Sequence, residues 1–398
     1  MDGTAAMDFD FDEIIERRGT HADKWDGMEA YCGLSAPDAL PMWVADMDFR
    51  PPAPVQRAIE RIAAHGVYGY YGNDRPCREA VAWWMKTRHG WDLPAEGLFF
   101  THGLVNGTAL AIDAFTQPGD GVVLHTPVYH AFARVIRASG RRLVECPMTL
   151  ADGRYGFDFD AMDRAMTGGE RMFILCSPHN PGGRVWTVDE LRGVADFCLR
   201  HDLILVSDEI HHDLTYPGHK HTMTALAAPG IADRLVTMTA PSKTFNIAAG
   251  HTGNVIIGNE VMRKRFDARM AALGLSPNAF GMHMVEAAYS PEGAVWVDAL
   301  RRYLDGNRRL FDEGIAGIPG LKSMKLEATY LAWVDFAGAG MDAAEAQKRV
   351  VGQARIAVNA GPSFGRGGES CLRFNLATPR ARVAEAVDRL KTAFADLQ

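Results

Sequence analysis

From about residue 98 to residue 258 the chain repeats one pattern: a short apolar, often β-branched run, then a longer stretch whose apolar positions return every three to four residues. Short apolar runs bounded by turn residues read as strands, and the longer stretches with helical period read as helices. The pattern predicts strands at Leu98–Thr101, Gly121–His125, Arg142–Cys146, Met172–Cys176, Ile204–Ser207, Leu235–Thr239 and Asn254–Ile257. Helices are predicted between them at Asn106–Phe115, Tyr129–Ala138 and Val188–Arg200. Several of the runs are apolar throughout, as strands covered on both faces must be. Strict alternation of this kind gives an α/β fold, a mostly parallel seven-stranded sheet between helices. After Asn259 the pattern changes to long helices, Val261–Leu273 and Met284–Gly314, then alternating segments at Lys322–Val334 and Ile356–Asn359, then a helix at Val383–Leu397. A chain of 398 residues exceeds the usual single core. We therefore expect a large domain over 49–285 and a smaller α+β domain from 1–48 and 286–398, the two chain ends packing together.

Composition enters mainly by exclusion. Hydrophobic residues at 47% and charged residues at 23% are those of an ordinary globular protein, and a net charge of -7 offers no basic surface for nucleic acid. The six cysteines are scattered without a C-x-x-C pair, so reduced thiols are expected rather than a dithiol or metal site. The acidic start, Met1 to Asp10, lacks the basic and then apolar order of a signal peptide, and no apolar run reaches membrane-spanning length. A cytoplasmic protein acting on small molecules, with neither nucleic acid nor membrane as partner, is the expectation. His211, His212, His219 and His221 lie close together, but their spacing fits no standard zinc pattern and no metal is expected. The chain also lacks the G-x-G-x-x-G fingerprint of a dinucleotide site.

Chemistry concentrates just beyond predicted strand ends, where open α/β sheets bind ligands. Asp208 closes the run Val206-Ser207-Asp208-Glu209-Ile210-His211, and Lys243 follows the next strand in Ala240-Pro241-Ser242-Lys243-Thr244-Phe245-Asn246. An amine and a carboxylate so placed suit pyridoxal phosphate: the amine holds the cofactor as a Schiff base, and the carboxylate keeps its ring nitrogen protonated. Gly103, between a strand and the helix that follows it, reads either as a plain turn or as a place where helix-start N–H groups meet a phosphate. Tyr129 either fills the core or stacks on a ring. Asn180, in Cys176-Ser177-Pro178-His179-Asn180-Pro181-Gly182-Gly183, either shapes a turn or contacts the cofactor's phenolic oxygen. Arg373, inside the apolar run Cys371–Asn375, either forms a structural ion pair or grips a substrate carboxylate through two parallel hydrogen bonds.

The ordered set Gly103, Tyr129, Asn180, Asp208, Lys243 and Arg373 resembles the fold-type I pyridoxal phosphate enzymes of the aspartate aminotransferase superfamily. Further stretches are similar to its cystathionine β-lyase branch, the MalY/PatB-like C–S lyases. They are Arg18-Gly19-Thr20 with Lys24-Trp25-Asp26, Pro41 to Phe49, Tyr68-Gly69-Tyr70-Tyr71, Ser207 to His211, Ala240 to Asn246 and Asn359 to Gly365. The likeness runs from residue 18 to residue 380. It implies that Lys243 carries the cofactor, Asp208 pairs with the pyridinium nitrogen, Tyr129 stacks on the ring and Asn180 meets the phenolic oxygen. It further implies that Arg373, with Ala45 and Asn180, binds substrate, and that His211 stands in the cofactor pocket. The phosphate is assigned to the Gly103 turn, the amides of Leu104 and Val105, Ser242, and Tyr70 of a neighbouring subunit, hence a homodimer. The chain departs from its relatives beside that phosphate cup: His251 stands where many aminotransferases carry arginine, and Thr101-His102-Gly103-Leu104-Val105-Asn106 replaces a more usual Thr-Pro-Gly-Val-Val-Pro. The activity implied is carbon–sulfur β-elimination from cystathionine or a cysteine S-conjugate, giving a thiol, pyruvate and ammonia. Transamination between an amino acid and a keto acid is the alternative, because the same lysine serves both. A non-enzymatic binding role would not need both Lys243 and Asp208.

Overall fold

The computed structural model describes residues 9–94 and 96–397. Residues 1–8, most of the acidic start, lie outside the described residues. All seven predicted strands form: β1 Leu98–Thr101, β2 Gly121–Thr126, β3 Arg142–Pro147, β4 Glu170–Cys176, β5 Ile204–Asp208, β6 Leu235–Thr239 and β7 Gly253–Ile257. They make one sheet in the order β1-β7-β6-β5-β4-β2-β3. β7 runs antiparallel to both its neighbours, and the remaining pairs are parallel. Because side chains alternate across a strand, Val123, Phe173, Leu175 and Leu205 bury against one helical layer. Val122, Ile174 and Val206 bury against the other. Continuous apolar runs were therefore the right signal for this sheet.

Nine of the helices matter here: α1 Ala53–His65, α2 Arg75–His89, α3 Leu104–Phe115, α4 His130–Ala138, α5 Val188–Arg200, α6 Glu260–Ala272, α7 Ala279–Ala288, α8 Pro291–Ala316 and α9 Arg380–Ala393. A second, antiparallel sheet joins Lys322–Ser323, Leu331–Asp335, Cys371–Asn375 and Asn359–Ala360 in that order. Leu40–Pro41 pairs in parallel with Ile356–Ala357, which ties the amino-terminal segment to the carboxyl-terminal third. The long helix α8 begins in one core, where Trp296 and Leu300 join Trp84 and Phe245. It ends in another, where Phe311 and Ile315 join Phe374 and Leu390.

The structure divides what the pattern joined. Met284–Gly314 reads as one helix, yet α7 stops at Ala288 and α8 starts after Ser290, whose side chain accepts the Gly293 N–H at 3.2 Å. Pro291 lies in the first turn of α8, where a fixed φ and a missing N–H start a helix but cannot continue one. Ile356–Asn359 likewise splits into two short strands in different sheets. α1 and α2 carry no signal in the sequence reading, although each ends on a glycine with left-handed φ. Among the described residues no helix is long and apolar enough to cross a membrane.

Candidate active site

A cavity of about 490 Å³ opens beyond the carboxyl ends of β4 and β5. Every residue predicted for the site lines it except Arg373 and Tyr70. Parallel pairing sets Cys176 at the end of β4 level with Asp208 at the end of β5, so the turns that follow face one space.

Asp208 is enclosed, and its Oδ1 accepts the Ile210 N–H at 3.1 Å. Among the described residues no basic side chain forms an ion pair with it. Burial pushes its carboxyl up to about 7, with Glu209 adding to the rise and the Ile210 N–H and Lys243 opposing it. Lys243 sits on a single helical turn, Pro241–Thr244, directly after β6. Its Nζ donates to the Ala45 carbonyl at 2.7 Å. Desolvation lowers its pKa, Asp46 opposes that shift, and Arg373 adds to it. The Ala45 carbonyl also accepts the Tyr330 hydroxyl at 3.0 Å. Ala45 thus enters the site through a backbone atom.

At the other end of the cavity Gly103 adopts φ 81° and ψ 168° as it turns the chain into α3, a region essentially closed to other residues. No side chain caps the first turn of α3, and a Cβ placed on Gly103 meets nothing within 4 Å. Open space and free N–H groups therefore coincide, with Ser242 and His251 on the same cavity wall. The ring of Tyr129 stands edge-on to Phe132, 5.5 Å between centroids. His211 is buried with Nδ1 unpartnered, its ring edge-on to Tyr330. Burial, Lys243 and Arg373 push it down to about 3, so it is neutral.

Arg373 lies in the middle of its strand, 3% exposed, and reaches the site through Asn180. Nη1 donates to Asn180 Oδ1 at 3.2 Å, and Nη2 to the Trp43 carbonyl at 2.8 Å and Asn359 Oδ1 at 2.6 Å. Nε has no partner. The structural ion pair left open by the sequence does not form among the described residues, and burial lowers the guanidinium to about 10. Tyr70 is different: it is fully exposed, in an irregular stretch between α1 and α2, and does not line the cavity of its own chain.

The family described as aminotransferase class I and II matches residues 44–390. The chain belongs to this family. It is 39% identical to the cystathionine beta-lyase PatB of Bacillus subtilis, over 96% of this chain and 99% of that one. Among solved structures, cystalysin from Treponema denticola, which contains a pyridoxal 5'-phosphate cofactor, superposes with a TM-score of 0.93 at 36% identity, covering 98% of this chain and 100% of its own. The pyridoxal phosphate-bound C–S lyase from Staphylococcus hominis gives 0.90 at 31% identity, covering 98% and 99%. Within the aminotransferase class I and II family the chain therefore falls in the branch of PatB-like C–S lyases.

The residues present fit the cofactor of this family, pyridoxal 5'-phosphate. An enclosed carboxylate has no ion-pair partner among the described residues, helix-start N–H groups face a space shaped by glycine, and a lysine amine projects into the same cavity. Sequence reasoning missed two supports. Tyr330 leaves no more trace than any aromatic residue beside a strand. Asn246 staples the lysine turn to the 45–49 segment, accepting the Met47 N–H at 2.9 Å and donating to the Met47 and Phe49 carbonyls. That staple gives a physical reason for two of the resembling stretches to occur together.

Proposed function

We propose that this pyridoxal phosphate-dependent enzyme cleaves cystathionine or a cysteine S-conjugate by β-elimination, producing a thiol, pyruvate and ammonia. The observation that carries the reading is a buried Asp208 sharing one cavity with Lys243, while Arg373 approaches through Asn180, neither Asp208 nor Arg373 having an ion-pair partner among the described residues. The likeness to PatB and to C–S lyases sets the reaction type. When bound, the cofactor supplies an electron sink for the carbanion left by removal of the α-proton.

The chain's own groups do the rest. Lys243 is the covalent anchor and the base that takes the α-proton at Nζ; desolvation favours its neutral form, and the Ala45 carbonyl steadies it when protonated. Asp208 would accept the ring N–H, Tyr129 would cover the ring, and His211 would wall the cofactor pocket. The Gly103 turn, the Leu104 and Val105 amides and Ser242 would hold the phosphate. Arg373 binds the substrate carboxylate, with Asn180 and Ala45 beside it. Tyr70 of a second copy completes the phosphate site in a homodimer, in keeping with its full exposure here. The domain division at 48/49 and 285/286 is kept as part of the proposal, supported by the pairing of Leu40–Pro41 with Ile356–Ala357.

The test is turnover of purified enzyme with cystathionine or a cysteine conjugate and no added keto acid. Pyruvate and thiol should appear in equal amounts, and Lys243→Ala should abolish both turnover and the visible absorbance of the bound cofactor. Turnover that requires a keto acid and releases no thiol overturns the lyase reading in favour of transamination.

A further inference from the structure

A second group of titratable side chains, with no part in the chemistry above, gathers where the end of α2 meets the loop after β5. His89 Nε2 lies 2.8 Å from Asp213 Oδ1, and His212 Nε2 lies 3.2 Å from Asp213 Oδ2. One ligand-type atom from each of the three residues falls within 4.8 Å of the others. His212 and Asp213 are buried, and a cavity of about 290 Å³ opens beside them, also lined by His221 and Arg301.

The hydrogen positions make this cluster unusual. His212 Nδ1 is 2.6 Å from the Glu209 carbonyl, which can only accept, so Nδ1 carries the hydrogen. Nε2 of the neutral ring is then a buried lone pair 3.2 Å from Asp213 Oδ2, without a hydrogen-bond partner. Asp213 already accepts from Trp84 Nε1 at 3.0 Å and Thr244 Oγ1 at 2.9 Å. A buried, unpartnered lone pair this close to a carboxylate oxygen is stabilised by a cation within reach of both.

We propose that His89, His212 and Asp213 form a binding site for one divalent transition-metal ion of the zinc type. Two imidazole nitrogens and one carboxylate oxygen are a donor set that Zn²⁺ accepts, and the adjoining cavity leaves a fourth position for water. The Glu209 carbonyl acts as the outer partner that fixes the tautomer of a ligating histidine. Of the basic side chains lining the cavity, Arg88 pairs with Asp298 at 2.6 Å, Arg301 donates to the Thr215 carbonyl at 2.7 Å, and Lys220 is exposed to solvent. Spacing along the chain could not reveal the site, because His89 and Asp213 are 124 positions apart. His212 follows His211, and Asp213 holds Thr244, the neighbour of Lys243, so the ion would clamp α2 to both segments that carry the active site.

The test uses holoenzyme stripped with a chelator and titrated with Zn²⁺ by calorimetry, and with Co²⁺ followed by its visible absorption. Saturable binding of one ion per chain is expected, with tetrahedral Co²⁺ bands and a raised melting temperature. His89→Gln and His212→Gln should each weaken binding at least about tenfold. His89 does not line the cofactor cavity, so its variant should keep the bound cofactor's absorbance, which reports folding independently of the metal. Absence of saturable binding, or binding unchanged in both variants, overturns the site and leaves a histidine–aspartate cluster bridged by protons.

Discussion

Asp208 is a carboxyl taken out of water by the fold. Its carboxyl titrates near 3.9 in an unfolded chain and is pushed up to about 7 in the folded one. A group with a raised folded-state pKa leaves stability intact below its unfolded value and removes it as pH climbs toward the folded value. Cofactor-free protein should therefore lose stability between about pH 4 and pH 7, by up to about 4 kcal/mol from this residue. Asp208→Asn removes that penalty, so the cofactor-free variant should melt above cofactor-free wild type at pH 8 and with it at pH 4. With cofactor bound the order should reverse, because an amide cannot hold the ring nitrogen's proton as a carboxylate does. Melting curves of both proteins, with and without cofactor, at the two pH values decide the matter; a cofactor-free variant no more stable than wild type at pH 8 removes the argument. At this scale side-chain chemistry was legible: Asp208 ends an apolar strand and Lys243 stands four positions beyond the end of the next. The Ala45 carbonyl was not, because every residue has a carbonyl and only folding aims one at an amine.

At the scale of elements, the turn into α3 carries the next expectation. The conformation of Gly103 costs a residue with a side chain about 1–3 kcal/mol. The space above it lies within the cavity assigned to the phosphate. Gly103→Ala should accordingly lower the melting temperature and also weaken cofactor binding by about tenfold for each 1.4 kcal/mol lost there. Cofactor release during dilution, followed by its absorbance, measures the second effect; a variant that melts lower yet holds cofactor as tightly as wild type would show that the turn serves the backbone alone. Element boundaries reveal what a pattern can and cannot say. The seven strands were readable because burial on both faces leaves them uniformly apolar. The α7–α8 break was missed because apolar residues continue through it, so the hydrophobic pattern never falters and the stop signal resides only in Ser290 and Pro291. Passing over α2 had a larger cost, since its last residue, His89, is one corner of the proposed metal site.

At the scale of the whole molecule, the surface around Tyr70 carries the next expectation. Tyr70 is 103% exposed, and its neighbours Val67 and Tyr68 are 69% and 62% exposed, a run of apolar and aromatic side chains facing solvent. Tyr68 rests against Phe280, itself 41% exposed, so the surface continues onto α7. A patch of this kind marks an interface, and two-fold pairing is the commonest way to cover one. If the pair shares its active sites, each cavity joins Lys243 of one chain to Tyr70 of the other. Lys243→Ala and Tyr70→Ala should then each be nearly inactive at limiting cofactor, for different reasons. Unfolded together and refolded as a mixture, they should regain activity, because every mixed dimer holds one site with both residues intact. Random pairing makes half of the dimers mixed, so recovery should approach about a quarter of the wild-type rate. If Tyr70 instead served the cavity of its own chain, each site in a mixed dimer would still lack one of the two residues and mixing would restore nothing. Sedimentation of the mixture, run beside the assay, separates that result from a failure of the chains to pair.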